Sequence, residues 1–174
     1  MRTANTRIWA IGAIGFIGGT VFGADAATTA GVTGRGRDAT AVATANYTGE
    51  AGFARTNSRS GEVNQARGIA VGFDENGLAL SLSNAVEHRG LAVASNFNIN
   101  IDRDGDVSTS SGVALARGGR EREVSVGGAT GHNQPVVSTA TARTERGGLA
   151  HVVTRAEQHR ARPERVIVRR MRGR

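Results

Sequence analysis

Hydrophobic and polar residues alternate with a period of two along the middle of this 174-residue chain. The clearest stretch runs from Leu91 to Asp102, where apolar side chains dominate the odd positions and Ala, Asn and Asp fill the even ones. Successive side chains of a strand point to opposite faces of a sheet, so this alternation predicts a half-buried β-strand. We expect the odd positions to face the core, which makes the predicted core and assembly residues of this strand Leu91, Val93, Phe97, Ile99 and Ile101.

Similar short stretches recur between residues 41 and 154, separated by glycine, asparagine or charged pairs. "DENG", at Asp74 to Gly77, ends in Asn-Gly, which is the strongest short-range signal for a hairpin. No sustained helical period with capping residues interrupts this region. The pattern therefore predicts an all-β fold of short antiparallel strands, with "GLALSLS" and "GLAVASNFNINI" as central strands and Leu78, Leu80 and Leu82 on the apolar face.

A loose repeat leaves the arrangement of these strands open. Glycine followed by an aliphatic residue and alanine occurs five times at irregular intervals, at Gly68, Gly77, Gly90, Gly112 and Gly148. Strict periodicity would indicate a solenoid, whereas compositional likeness among strands suffices for a sandwich or meander. We keep a sandwich or meander and an irregular β-solenoid as alternatives. An outer-membrane barrel would need aromatic girdles, which the sequence lacks.

The N-terminus carries the pattern of a secretory signal peptide. Arg2 and Arg7 precede an uncharged apolar stretch over residues 8–22, and "ADA" follows at residues 24–26. We predict cleavage after Ala26 and no membrane-spanning segment afterwards. The domain organisation predicted from composition is a signal peptide over 1–26, a flexible glycine-rich lead-in over 27–40, a β-rich domain over 41–154 and an arginine-rich tail over 155–174.

The formal net charge of +7 is concentrated in that tail. Its twenty residues hold eight arginines and two glutamates, so the preceding part of the mature chain is nearly neutral. Clustered arginines attract acidic polymers and envelope surfaces, although a solvated tail has the same composition. The residues predicted to bind a polyanion are Arg160, Arg162, Arg165, Arg169, Arg170, Arg172 and Arg174.

Few residues offer catalytic or metal chemistry. The chain has no cysteine, which excludes thiol nucleophiles and cysteine-ligated zinc, and no nucleophile elbow, phosphate-binding loop or HExxH motif occurs. Asp102, Asp104 and Asp106 alternate as calcium ligands do, but the glycine and glutamate positions of a calcium loop are not matched. We interpret "DRDGD" as a polar turn, with these three aspartates as weak metal candidates and no cofactor predicted.

The combination of a signal peptide with strands rich in Gly, Ala, Ser and Asn loosely resembles secreted bacterial surface fibres of the curli type. "SGEVNQARG", Ser60 to Gly68, is the nearest local similarity, but the regular Gln and Asn ladder of that family is missing, so no residue roles are carried over. We expect an exported, non-enzymatic structural or adhesive protein that self-associates through its strands. The alternative is an exported polyanion-binding protein that uses its C-terminal tail.

Overall fold

A computed structural model of the chain describes residues 24–119, 122–131, 136–145 and 147–159. Within these ranges the chain forms ten β-strands and one short 3₁₀ turn at Gly36–Asp38. The strands are β1 (Asp25–Gly34), β2 (Thr40–Thr48), β3 (Ala51–Arg59), β4 (Asn64–Asp74), β5 (Gly77–His88), β6 (Leu91–Asp102), β7 (Val107–Arg117), β8 (Arg122–Gly131), β9 (Val137–Thr144) and β10 (Leu149–His159).

The strands form two antiparallel sheets, one of four strands in the order β2-β1-β8-β9 and one of six in the order β10-β7-β6-β5-β4-β3. The all-β, antiparallel fold class is therefore confirmed. The sheets pack against each other through a shared core and do not close into a barrel within the described ranges. This layered arrangement corresponds to the sandwich alternative. No helix in the described part of the chain is long and apolar enough to cross a bilayer.

Tight turns connect the consecutive strands from β4 to β6. Glu75 and Asn76 alone join β4 to β5, which confirms the hairpin predicted from Asn-Gly. Arg89 and Gly90 join β5 to β6, and both have positive φ, as the mirror-image turn of a two-residue hairpin requires. As predicted, β5 and β6 are the two central strands of the larger sheet.

The core between the sheets is thin because small side chains fill it. One cross-strand row of the six-stranded sheet is alanine on four adjacent strands, and each of these side chains is fully buried: Ala66, Ala85, Ala94 and Ala114. Val32 and Val124 of the other sheet belong to the same cluster. At Gly68 the sheets approach so closely that a Cβ atom would lie 2.6 Å from the carbonyl oxygen of Thr44.

The prediction that the odd positions of β6 form its buried face is wrong. Leu91 and Phe97 are 42% and 41% exposed, and Val93, Ile99 and Ile101 on the same face are only partly buried. The buried positions are the even ones, occupied by alanine and asparagine. Alternation specifies two faces, but the narrow gap between the sheets accepts only the smaller side chains.

The predicted boundaries at both ends of the β-rich domain are also wrong. Residues 25–34 form β1, the strand between β2 and β8, although residues 27–40 have the composition of a flexible lead-in. Residues 155–159 belong to β10 rather than to the arginine-rich tail. Pairing with neighbouring strands orders both segments despite their composition. The predicted signal peptide lies outside the described residues, apart from its last three positions.

Candidate functional site

The side of the six-stranded sheet that points away from the core, called here the outer face, carries most of the large apolar side chains. Two of its cross-strand rows, at the end of the sheet near the β4–β5 turn, are apolar on each strand from β3 to β6. The first row is Phe53, Val71, Leu80 and Ile99, and the second is Phe73, Leu78, Ile101 and Val107. Phe53 and Phe73 are about half exposed, at 52% and 53%. All five predicted assembly residues of β6 lie on this face.

A shallow depression on the outer face lies where small side chains of β7 separate β6 from β10. It is lined mainly by Phe97, Thr109, Ser111, Arg155 and Glu157. Arg155 and Glu157 form an exposed ion pair with each other. The depression is open to solvent, and its carboxylate is already engaged by the neighbouring guanidinium.

The asparagines of β6 lie on the opposite, inner face and bind partners inside the sandwich. Asn98 accepts a hydrogen bond of 2.6 Å from the Ser81 hydroxyl and donates one of 3.1 Å to the Ser110 hydroxyl. Ser81 also contacts the hydroxyl of Thr28 at 2.8 Å, across the gap between the sheets. This cross-strand row, called here the serine–asparagine row, joins β5, β6 and β7 to the four-stranded sheet.

Asn96 forms a second link between the sheets. Its amide nitrogen donates to the carbonyl oxygen of Gly127, and its amide oxygen accepts a hydrogen bond of 2.8 Å from the Ser138 hydroxyl. A Cβ atom on Gly128, next along β8, would overlap the Asn98 side chain. The small residues of the four-stranded sheet therefore leave space for the buried side-chain amides of Asn96 and Asn98.

A buried ion pair connects the sheets at the end of the sandwich near the β5–β6 turn. Arg122 Nη2 lies 2.9 Å from Glu87 Oε1, and their side chains are only 2% and 1% exposed. Asn64 donates to the second carboxylate oxygen at 2.8 Å, and Arg122 Nη1 donates to the Gly118 carbonyl at 3.1 Å. Hydrogen bonds to both partners are what a buried ion pair needs to offset desolvation. This pair has no signal in the sequence, because its members are 35 residues apart.

The "DRDGD" segment forms a turn between β6 and β7, as predicted. The Asp102 amide donates to the Asp106 carbonyl at 2.9 Å, and the Gly105 amide donates to the Asp102 carbonyl at the same distance. The Asp102 carboxylate accepts a hydrogen bond from Asn100. Among the described residues, no three His, Asp or Glu side chains are grouped closely enough to hold a metal ion.

Both edges of the six-stranded sheet are long strands. β3 pairs with β4 only, and β10 pairs with β7 only, within the described ranges. All nine residues of β3 and all eleven of β10 are exposed. The second half of β3 contains two arginines, whereas residues 149–154 of β10 contain none and have no acidic residue. Each edge presents a row of backbone donors and acceptors to a further strand.

The outer face of the four-stranded sheet differs from that of the larger sheet. Its exposed positions on β2 and β9 are mostly threonines, including Thr40, Thr44, Thr48, Thr139 and Thr141. Thr29 and Thr44 are directly opposite each other, with their hydroxyls 2.7 Å apart. This face still exposes Val42 and Val137, but it carries fewer large apolar side chains than the outer face of the larger sheet.

The seven arginines predicted to bind a polyanion lie outside the described residues, so that hypothesis stays a prediction. The assembly residues predicted on β6 do lie together, on the outer face. The chain matches no protein-family model, no curated protein sequence and no solved structure in searches of each kind, so its function must be argued from these surfaces.

Proposed function

We propose that this chain is an exported, non-enzymatic structural or adhesive protein of the bacterial cell envelope or extracellular matrix, and that its copies associate strand to strand. Export is inferred from the charged, apolar and small-residue pattern at the N-terminus. The observation that supports association is the pair of long, exposed edge strands, β3 and β10, of the six-stranded sheet.

The directions of these two edges suit an extended sheet. All neighbouring strands of the six-stranded sheet are antiparallel. Because the number of strands is even, β3 and β10 run in opposite directions. A second copy shifted sideways along the sheet would therefore place its β10 antiparallel to β3 of the first. The ladder would continue without any change of fold, and such head-to-tail contacts generate open filaments.

Both edges lack several features that usually prevent such pairing, although each carries charged side chains. Monomeric proteins protect sheet edges with short strands, prolines, bulges or inward-pointing charges. Neither β3 nor β10 contains a proline, and both are longer than the usual strand of about five to six residues. Their charged side chains, including Arg55 and Arg155, lie on the outer face, away from the sandwich interior.

Cysteine cross-linking tests this proposal, since the chain has no cysteine of its own. Asn57 on β3 and Val153 on β10 belong to one cross-strand row of the outer face. They are five strand spacings apart, about 24 Å, whereas a disulfide needs Cα atoms within about 7 Å. A disulfide between Asn57→Cys and Val153→Cys can therefore form only between copies.

We expect the double variant to give a ladder of disulfide-linked oligomers on a non-reducing gel. Either single variant should give at most dimers, because one cysteine per copy cannot propagate a chain. A double variant that remains monomeric under oxidation, over the concentration range in which wild type is tested by size exclusion, would overturn the proposal.

A further inference from the structure

The outer face of the six-stranded sheet is large enough for a protein interface. Six strands at about 4.8 Å spacing, each about eleven residues long at 3.4 Å per residue, cover about 1,000 Å² in projection. A stable complex buries about 800 Å² on each partner. Larger contiguous apolar patches rimmed by polar residues often mark interaction sites, and the outer face has an apolar part beside polar side chains such as Arg55, Arg67 and Arg155. The two apolar rows that contain Leu80 and Leu78 form the largest uninterrupted part of this surface.

We infer that this face packs against the same face of a second copy of the chain, with the strands of the two copies running in reversed orientation. Sheets that stack in this way lie about 10 Å apart, with their side chains interdigitated. The large residues of the outer face would fill such a gap, just as the small residues of the inner face fill the narrower gap inside the sandwich.

Charge supports this orientation. The end of the sheet with the apolar rows carries mainly acidic turns, with Glu50, Glu75 and Asp104 exposed beside one exposed arginine, Arg103. The other end carries exposed arginines on the outer face, Arg59 on β3 and Arg117 on β7. Reversed packing brings the acidic end of each copy over the basic end of the other. Packing in the same orientation would oppose like charges.

The polar side chains of this face disfavour a lipid surface as the occupant. The row through the middle of the face is polar on three strands, where it contains Asn57, Arg67 and Asn84. A second protein face can supply hydrogen-bond partners to this row, whereas acyl chains cannot.

This interface is independent of the strand association proposed above, because it uses side chains of one face rather than backbone groups of the edges. Charge reversal tests it directly. One variant, Glu50→Arg with Asp104→Arg, makes both ends of the face basic. The second, Arg59→Glu with Arg117→Glu, makes both ends acidic. We expect each to dimerise at least about tenfold more weakly than wild type in sedimentation equilibrium, because like charges would then oppose each other at both ends of the interface.

Mixing the two variants restores opposite charges at both ends, so a heterodimer of near wild-type affinity should form. A face cysteine locates the contact. With a thiol cross-linker that spans about 10 Å, Ser95→Cys, near the middle of the face, should give dimers but no ladder, and Thr44→Cys on the four-stranded sheet should give none. Adding Leu80→Asn to Ser95→Cys should abolish the dimer while circular dichroism shows an intact fold.

Three results would overturn the inference: no recovery on mixing, equal cross-linking of Ser95→Cys and Thr44→Cys, or a monomeric wild type. A monomer that floats with anionic phospholipid vesicles, and loses this binding with Leu80→Asn, would assign the face to lipid instead. The Asn57→Cys and Val153→Cys ladder reports on the edges, so failure of either proposal leaves the other measurable.

Discussion

The two faces of the six-stranded sheet are made by the same alternating strands but by different side chains. The inner face consists of alanine, serine, asparagine and glycine, and it is buried against the four-stranded sheet. The outer face carries leucine, isoleucine, phenylalanine and valine, and much of it is exposed. Interiors are packed to the density of crystals, so a narrow gap selects for volume before hydrophobicity. Here small polar side chains are buried because they both fit and find hydrogen-bond partners.

The largest difference in stability between inner-face and outer-face substitutions should come from removing a charge. Arg122→Met would leave the Glu87 carboxylate buried without its guanidinium partner. We expect this to lower the free energy of unfolding by about 3–5 kcal/mol, the usual cost of breaking a buried pair. Arg67→Met, an exposed change on the outer face, should stay within about 0.5 kcal/mol. Urea denaturation measures both, and equal losses would contradict the contrast.

Added side-chain volume should give the second-largest difference in stability between inner-face and outer-face substitutions. Ala94 is fully buried in the alanine row, whereas its neighbour Ser95 is exposed on the outer face. Ala94→Leu should destabilise the protein by about 3 kcal/mol, at the upper end of the usual cost of overpacking. Ser95→Leu introduces the same side chain where there is space and should be nearly neutral. Thermal denaturation of the two variants compares them directly, and a tolerant Ala94 position would show that the sheets can move apart.

Adjacent residues of β6 provide the third comparison. Asn98→Ala would leave the hydroxyls of Ser81 and Ser110 without their amide partner inside the sandwich. We expect a loss of about 2 kcal/mol, because unpaired buried polar groups keep their desolvation cost. Phe97→Ala should cost about 1 kcal/mol in the monomer, well below the about 3–5 kcal/mol of a buried phenylalanine. Denaturation of dilute protein tests this order, and a larger loss at Phe97 would restore the odd positions of β6 as the stabilising face.

Alternation and turn chemistry are sufficient to predict a β-rich region over residues 41–154 and its hairpins, including β5 and β6 at the centre of a sheet. They could not predict which face is buried, because that depends on how closely the second sheet approaches. Leu80 and Phe97 are the more hydrophobic residues, yet Ala79 and Asn98 are the ones that fit. Which face is buried depends on the surface of the opposing sheet, and the sequence of a single strand does not contain that information.

The missed segments have a different cause. β1 contains mainly alanine, threonine and glycine, a composition shared by linkers, so its period-two pattern is weak in the sequence. Val32 and Ala30 on alternate positions are the signal that could have identified it. The Arg122–Glu87 pair could not be found in this way, because its members are brought together only when both sheets form.

The smallest expected effect concerns the β6–β7 turn, where inner and outer faces end. Asp102 is held by Asn100 and by backbone hydrogen bonds of the turn, whereas the Asp104 side chain is exposed. Calcium ions need six to eight oxygen ligands, and the described carboxylates do not form such a group. Millimolar calcium should therefore leave the melting temperature unchanged within about 1 °C, since only ligands that bind the folded state stabilise it. Asp104→Ala should behave identically with and without calcium, and Asp102→Ala serves as the matched change at a hydrogen-bonded carboxylate. A rise of several degrees with calcium that Asp104→Ala abolishes would mean that this turn closes around a cation rather than on its own hydrogen bonds.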